Sequence, residues 1–307
     1  MKRFLVVVAA FVLIGNSFVF AAGPKEIRIG FTVNDFNDLW VTFMMDAVKK
    51  WDERTPGVTV TLGNGQTDVS TQLGIVETWI NQGYDAIIVK PVEIEATVAM
   101  AKAAKAANIP YVAVQQGIKE ADARVLQNSV VTGEVQMQAV ADKLGGKGNV
   151  AIMMGEPGTL IAQERLQGNK NVLAKYPNMH LVAEEVGNWQ RDQGMNIMEN
   201  WLQAGIPIDA VVASNDEMAI GAILALEAAK VRSKYIVAGI DATPNALQFM
   251  KEGRLDITMF ADAKTLAETS LDVAMQLIKK IKPKDVIISD RLVTPTNVDE
   301  YLALYKK

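Results

Sequence analysis

Asn34, Asp35, Asn37, Trp40, Gln115 and Gln116 in the first half of the chain, with Glu156, Arg165, Trp189, Gln190, Asn215, Asp216 and Asp241 in the second, form a set of amides, carboxylates, one guanidinium and two indoles. Amides and carboxylates exchange hydrogen bonds with hydroxyls, and indole faces cover the C–H faces of a ring. The set therefore suits a neutral polyhydroxyl ligand. Most of these residues stand just past a short apolar segment, with Arg165 one helix turn further on. In an open α/β sheet, ligands sit beyond the carboxyl ends of the strands. The plainest case is VVASNDEMAIGAILAL at 211–226. A short apolar strand ends at Ala213, breaks at Ser214–Asn215–Asp216 and continues with helical spacing. Asn215 and Asp216 can point into a crevice there, or Ser214 or Asn215 can simply cap the helix, and both readings stand. Trp51 and Trp201, at helical spacing, read as core. Trp40 and Trp189 follow loops, which opens a site role to them.

Signatures of catalysis are missing. The chain carries no G-x-x-x-x-G-K-[ST], G-x-S-x-G or H-E-x-x-H motif and no nucleophile with a histidine partner. We therefore expect a binding protein rather than an enzyme, with no cofactor and no metal. The single histidine, His180, reads as a solvated residue in a polar loop, and the absence of cysteine closes disulfides and thiolate metal sites. Gly145–Gly146–Lys147–Gly148 precedes its strand instead of following it, so it reads as a turn and not as a phosphate loop.

Positioning such residues takes a frame, and the chain supplies one. Its 307 residues are 50% apolar and 21% charged, ordinary globular composition with length for two domains. Lys2 and Arg3, an apolar run over 4–14 and V-F-A-A-G-P predict a secretory signal peptide over 1–21, cleaved near Ala21. No lipid-anchor cysteine stands at that site. Removing Lys2 and Arg3 takes the basic count from 31 to 29 against 35 acids, a net charge of about −6, which argues against a nucleic-acid partner. From Glu26 onward strands and helices alternate, with buried-type apolar strands such as 86–89 and 111–114. That alternation predicts a doubly wound parallel sheet. After an irregular passage over 123–133 the pattern restarts, so the chain reads as two similar α/β lobes in tandem. A late strand–helix pair fits a return to the first lobe. We expect single strands over 255–260 and 286–292, and a short terminal helix capped by Asn297.

Several segments together carry a resemblance: I-R-I-G-F-T-V at the first strand, A-N-I-P-Y-V-A-V, G-x-x-x-x-x-E-R-x-x-G at 158–168, S-N-D-E-M-A-I-G-A and V-A-G-I-D-A-T-P. They resemble the periplasmic sugar-binding proteins of ABC transporters, ribose-binding type, across essentially the whole mature chain. The group also includes the sensing domains of LacI-type repressors, but a signal peptide stands where their helix-turn-helix would be. The resemblance implies two lobes, 24–128 with 261–289 and 129–260 with 290–307, joined by a three-stranded hinge near 128–129, 260–262 and 289–292. Ligand contacts carried over are Asn37, Leu39 and Trp40 from the first lobe and Arg165, Trp189, Asn215 and Asp241 from the second. Gln115 and Gln116 stand where the ribose binders have Asp–Arg, and Leu39 replaces the usual aromatic. Ala261 replaces a usual glutamine, with Asp262 beside it; Asp262 and the strand-end residue Asn34 are further candidates. These departures keep a polyol site but move it away from ribose, toward another monosaccharide, a cyclitol or a short polyol. The implied partners are an ABC permease and, in an alternative reading as a signal receptor, a chemoreceptor or an autoinducer-like ligand. The implied location is the periplasm.

Overall fold

The computed structural model describes residues 26–305; the expected leader and its cleavage site lie outside them. The chain begins with β1 (Ile27–Val33), α1 (Leu39–Glu53), β2 (Val58–Asn64), α2 (Val69–Asn81), β3 (Ala86–Val89), α3 (Ile94–Ala106), β4 (Tyr111–Gln115) and β5 (Ala123–Gln127). It continues with α4 (Ser129–Leu144), β6 (Lys147–Met154), α5 (Leu160–Leu173), β7 (Asn178–Val186), α6 (Arg191–Gln203), β8 (Ala210–Ala213), α7 (Asp216–Ala228), β9 (Ile236–Ala238), α8 (Pro244–Lys251) and β10 (Thr258–Phe260). It closes with α9 (Ala263–Ile278), β11 (Val286–Ile288), β12 (Arg291–Val293) and α10 (Val298–Leu304).

Two parallel sheets result. The first has the order β11-β5-β4-β3-β1-β2, the second β7-β6-β8-β9. Single bridges from Ala238 to Ile257 and from Asp241 to Phe260 bring the antiparallel pair β10–β12 to the edge of the second sheet. Side chains alternate across a strand, and each sheet buries both faces. In the first, Ile88, Val112 and Val114 pack with α1 and α9, whereas Ile87, Val89 and Tyr111 pack with α2 and α3. In the second, Met153, Val211 and Ala213 pack with α6 and α7, and Val150, Ile152 and Val212 with α4 and α5. This is the α/β architecture of two doubly wound lobes. The chain crosses between them after β5, after β10 and between β11 and β12.

Four local expectations are corrected. The passage over 123–133 is not irregular: its first part is β5, and α4 starts at Ser129 with Asn128 Oδ1 accepting from the Val131 N–H. Arg124 and Leu126 are only half-buried on that strand, which hid its apolar signal. The run at 286–292 is not one strand, since β11 belongs to the first sheet while β12 pairs with β10 in the second lobe. His180 is exposed, but on β7 opposite Asn149 instead of in a loop. Asn297 occupies the cap position of α10, yet its Oδ1 turns back to the Thr294 N–H and caps nothing.

Candidate functional site

The carboxyl ends of β1, β3 and β4 face those of β6, β7, β8 and the segment after β9 around two adjoining cavities. The inner cavity, of about 50 Å³, is lined by Asn34, Asp38, Trp40, Lys90, Pro91, Gln115, Gln116, Thr159, Ile161, Arg165, Trp189, Asn215 and Asp241. The outer cavity, of about 120 Å³, adds Asp35, Asn37, Leu39, Thr67, Glu156, Asn188, Gln190 and Glu217. Of the residues singled out in the sequence, Asn34, Asn37, Leu39, Trp40, Gln115, Gln116, Arg165, Trp189, Asn215 and Asp241 come together here.

Two do not. Asp262 caps α9 by accepting from the Thr265 N–H and hydroxyl, and its carboxylate lies 3.5 Å from Arg291. Asp216 is fully buried behind the cavity, where its carboxylate accepts from the Thr258 hydroxyl at 2.7 Å and the Thr243 N–H at 2.9 Å. Burial pushes its pKa up to about 7 against those two bonds. It ties the start of α7 to the start of α8 and to β10.

Several wall residues are held from outside the cavity. Asp38 caps α1, its Oδ1 accepting from the N–H groups of Trp40 and Val41. Trp40 is shared between the first core and the cavity, and its Nε1–H donates to the Ala261 carbonyl at 2.8 Å. Asn215 does both things the sequence allowed. Its Oδ1 caps α7 through the Met218 N–H, its Nδ2 donates to the Trp189 carbonyl at 3.0 Å, and its side chain still lines the cavity. Trp189 lies against Gly155, where an added Cβ would meet the indole at 2.1 Å. The Arg165 guanidinium stands 5.9 Å from the Trp189 ring centre, and its Nη1 donates to the Ser214 carbonyl. Gln115, Trp189 and Asp241 all have left-handed backbone, with φ of 68°, 66° and 120°. Such conformations cost energy and gather at functional sites.

The electrostatics are mixed. Burial pushes the Asp241 carboxyl well above the usual range, while the Arg165 charge pulls it back. Lys90 donates to Asn34 Oδ1 and sits 6.0 Å from the Trp40 ring centre. Burial lowers its pKa to about 8, opposed first by the Asp38 carboxylate. The Nε of Arg165 and the Oε1 of Gln115 are buried without a partner. A donor and an acceptor are thus left unsatisfied on two residues that line a small, polar, indole-lined space, the composition that suits a polyhydroxyl ligand. Among the described residues no cluster of three or more His, Asp, Glu or Cys could hold a metal.

Asp38 and Lys90 were missed in the sequence. Asp38 reads there as a turn residue, although its position just before α1 marks a cap. Lys90 has a cleaner signal: a charged residue directly after the wholly buried strand A-I-I-V.

Residues 29–282 match the family model described as "Periplasmic binding protein domain". The chain belongs to the periplasmic binding proteins. This periplasmic binding protein is 37% identical to a "Putative rhizopine-binding protein" of Rhizobium meliloti over 98% of its own length and 99% of that chain. It is 35% identical to a xylitol-binding protein of Mycolicibacterium smegmatis, over 91% of its length and 80% of that chain. A solved ABC transporter solute-binding protein from Bacillus halodurans with bound myo-inositol is 40% identical. It superposes with a TM-score of 0.88, covering 92% of this chain and 99% of that one.

Proposed function

We propose that this protein is the solute-binding component of an ABC transporter and captures a cyclitol or other small polyol between its lobes for delivery to the membrane permease. The observation that carries this is the meeting of strand ends from both sheets around cavities lined by amides, carboxylates, a lysine, an arginine and two indoles. Among the proteins it resembles, one is named for rhizopine, one is named for xylitol and one holds myo-inositol. The ligand contacts are Asn37, Leu39, Trp40, Gln115, Gln116, Arg165, Trp189, Asn215 and Asp241, with Asn34, Asp38 and Lys90 beside them. The lobes comprise 24–128 with 261–289 and 129–260 with 290–307, and ligand that touches both favours the closed arrangement only through those differential contacts. Cleavage of the leader near Ala21 would release the protein into the periplasm.

Gln115–Gln116 replaces a charged Asp–Arg pair of the ribose binders. Charge-assisted hydrogen bonds are worth roughly 1.5–3 kcal/mol each, and about 1.4 kcal/mol is tenfold in affinity, so ribose is the weaker ligand here. Calorimetric titration of the mature chain against myo-inositol, xylitol, xylose and ribose tests this. Tightest binding to myo-inositol or xylitol is expected, and tightest binding to ribose overturns it.

A further inference from the structure

A line of hydrogen bonds, buried at its inner end and part-buried at its outer one, leads out of the inner cavity to a crossing between the lobes. Gln115 Nε2 donates to Gln127 Oε1 at 2.8 Å, and Gln127 Nε2 donates to Asp290 Oδ1 at 2.9 Å. The other carboxylate oxygen of Asp290 accepts from the Thr132 hydroxyl of α4 at 2.8 Å. Gln127 ends β5, and Asp290 lies where the chain passes from β11 to β12.

The direction of every bond in this line follows from its outer end. An ionised carboxylate only accepts. Burial raises the Asp290 carboxyl above the usual carboxylate range, opposed by the Arg165 charge and then by the bonds from Thr132 and Gln127, and both of its oxygens accept in this line. Gln127 must therefore turn its NH₂ to Asp290 and its oxygen inward. Gln115 must then turn its NH₂ to Gln127, which leaves Oε1 buried and with no partner, on a residue that lines the cavity. An amide can otherwise present either end.

We propose that Asp290 is a positioning residue for ligand selectivity: through Gln127 it fixes the Gln115 amide with its oxygen toward the cavity, so the site selects a ligand bearing a hydrogen-bond donor at that point. The proposal rests on the reading of the cavity as a polyol site. An acceptor placed against Gln115 Oε1 would leave both groups unsatisfied. Asp290→Asn supplies a group that can donate as well as accept, so both glutamine amides become free to turn over.

Myo-inositol and its series of mono-deoxyfluoro derivatives test this, because fluorine replaces a donor by an acceptor. In calorimetric titrations the unaltered protein should bind the derivative fluorinated at the Gln115 contact about tenfold or more weaker than myo-inositol, the worth of about 1.4 kcal/mol. Asp290→Asn should shrink that penalty to about threefold or less, as should Gln127→Leu, which cuts the line while keeping the Asp290 carboxylate and its bond from Thr132. A general loss of affinity with the same ranking of derivatives in all three proteins overturns the proposal. Neutron diffraction from crystals of the unaltered, ligand-free protein gives a second answer. Deuterons on the Gln115 nitrogen pointing to Gln127 support the line, and deuterons pointing into the cavity overturn it. If myo-inositol and its derivatives do not bind at all, the cyclitol reading fails, and the neutron map alone decides the role of Asp290.

Discussion

Gly155 and Trp189 act as one unit. A methyl at residue 155 would lie 2.1–2.3 Å from the indole, far inside contact distance, so the ring could not lie where it does. Gly155→Ala should weaken polyol binding about tenfold or more by displacing the stacking face, and Trp189→Ala should do much the same. The double variant should lose little beyond either single one, because both remove the same surface. Additive losses in calorimetry would separate the two residues. Lys90 gives a pH signature of its own. Its folded pKa of about 8 lies below the 10.5 of an unburied lysine, so the unfolded chain binds more protons between those values. Stability contributed by Lys90 is then present above 10.5 and lost as pH falls through about 8. Urea melts at pH 7, 9 and 10.5 should show the unaltered protein gaining on Lys90→Met as pH rises, and a pH-independent difference would refute the shift.

At the scale of elements, α7 shows how capping and ligand geometry share a residue. Asn215→Ala removes the cap of α7, at about 1 kcal/mol, and also the bond to the Trp189 carbonyl. Asn215→Asp keeps the capping oxygen but not that donor. Thermal melts should therefore show Asn215→Ala as the less stable of the two, while titration should find both weakened for ligand. Much of this was legible. S-N-D at 214–216 directly after V-V-A predicts both the strand end and the helix start, and Trp51 and Trp201 fall in the core as their spacing predicts, 5% and 1% exposed. What escaped is what only distant partners determine. The alternation of A-R-V-L-Q is weak until β4 and β11 flank it. The resemblance puts a crossing at 289–292, but the break of the run at 286–292 into two strands goes with bonds from Asp290 to Gln127 and Thr132, at separations of 163 and 158 positions. Asp216 looked like a wall residue because a strand end says where a side chain begins and not which way it turns.

The whole molecule is two lobes around one polar space, and its thermodynamics should report that. A ligand at about 100 times its Kd adds roughly 2.7 kcal/mol to the stability of the form it binds. The added ligand should also reduce the radius of gyration in small-angle scattering, since bridging contacts favour the closed arrangement. A radius unchanged by saturating myo-inositol, with binding intact, would mean that the lobes are already closed without it. Trp40 ties cavity to crossing through its bond to the Ala261 carbonyl. Trp40→Phe keeps an aromatic face while removing that tie, and is expected to reduce the change in radius more than it reduces core stability, which should fall by about 0.5–1.5 kcal/mol.

The inner cavity takes its walls from both lobes, and among the described residues the chain passes between those lobes at the ends of β5, β10 and β11. If a captured molecule leaves only when the lobes part, its residence time is capped by how often three short pieces of backbone bend. Two ligands of equal affinity could then trade arrival rate against departure rate through substitutions that never touch either of them, and a transporter's throughput could be tuned at its crossings while its choice of cargo stays with the cavity.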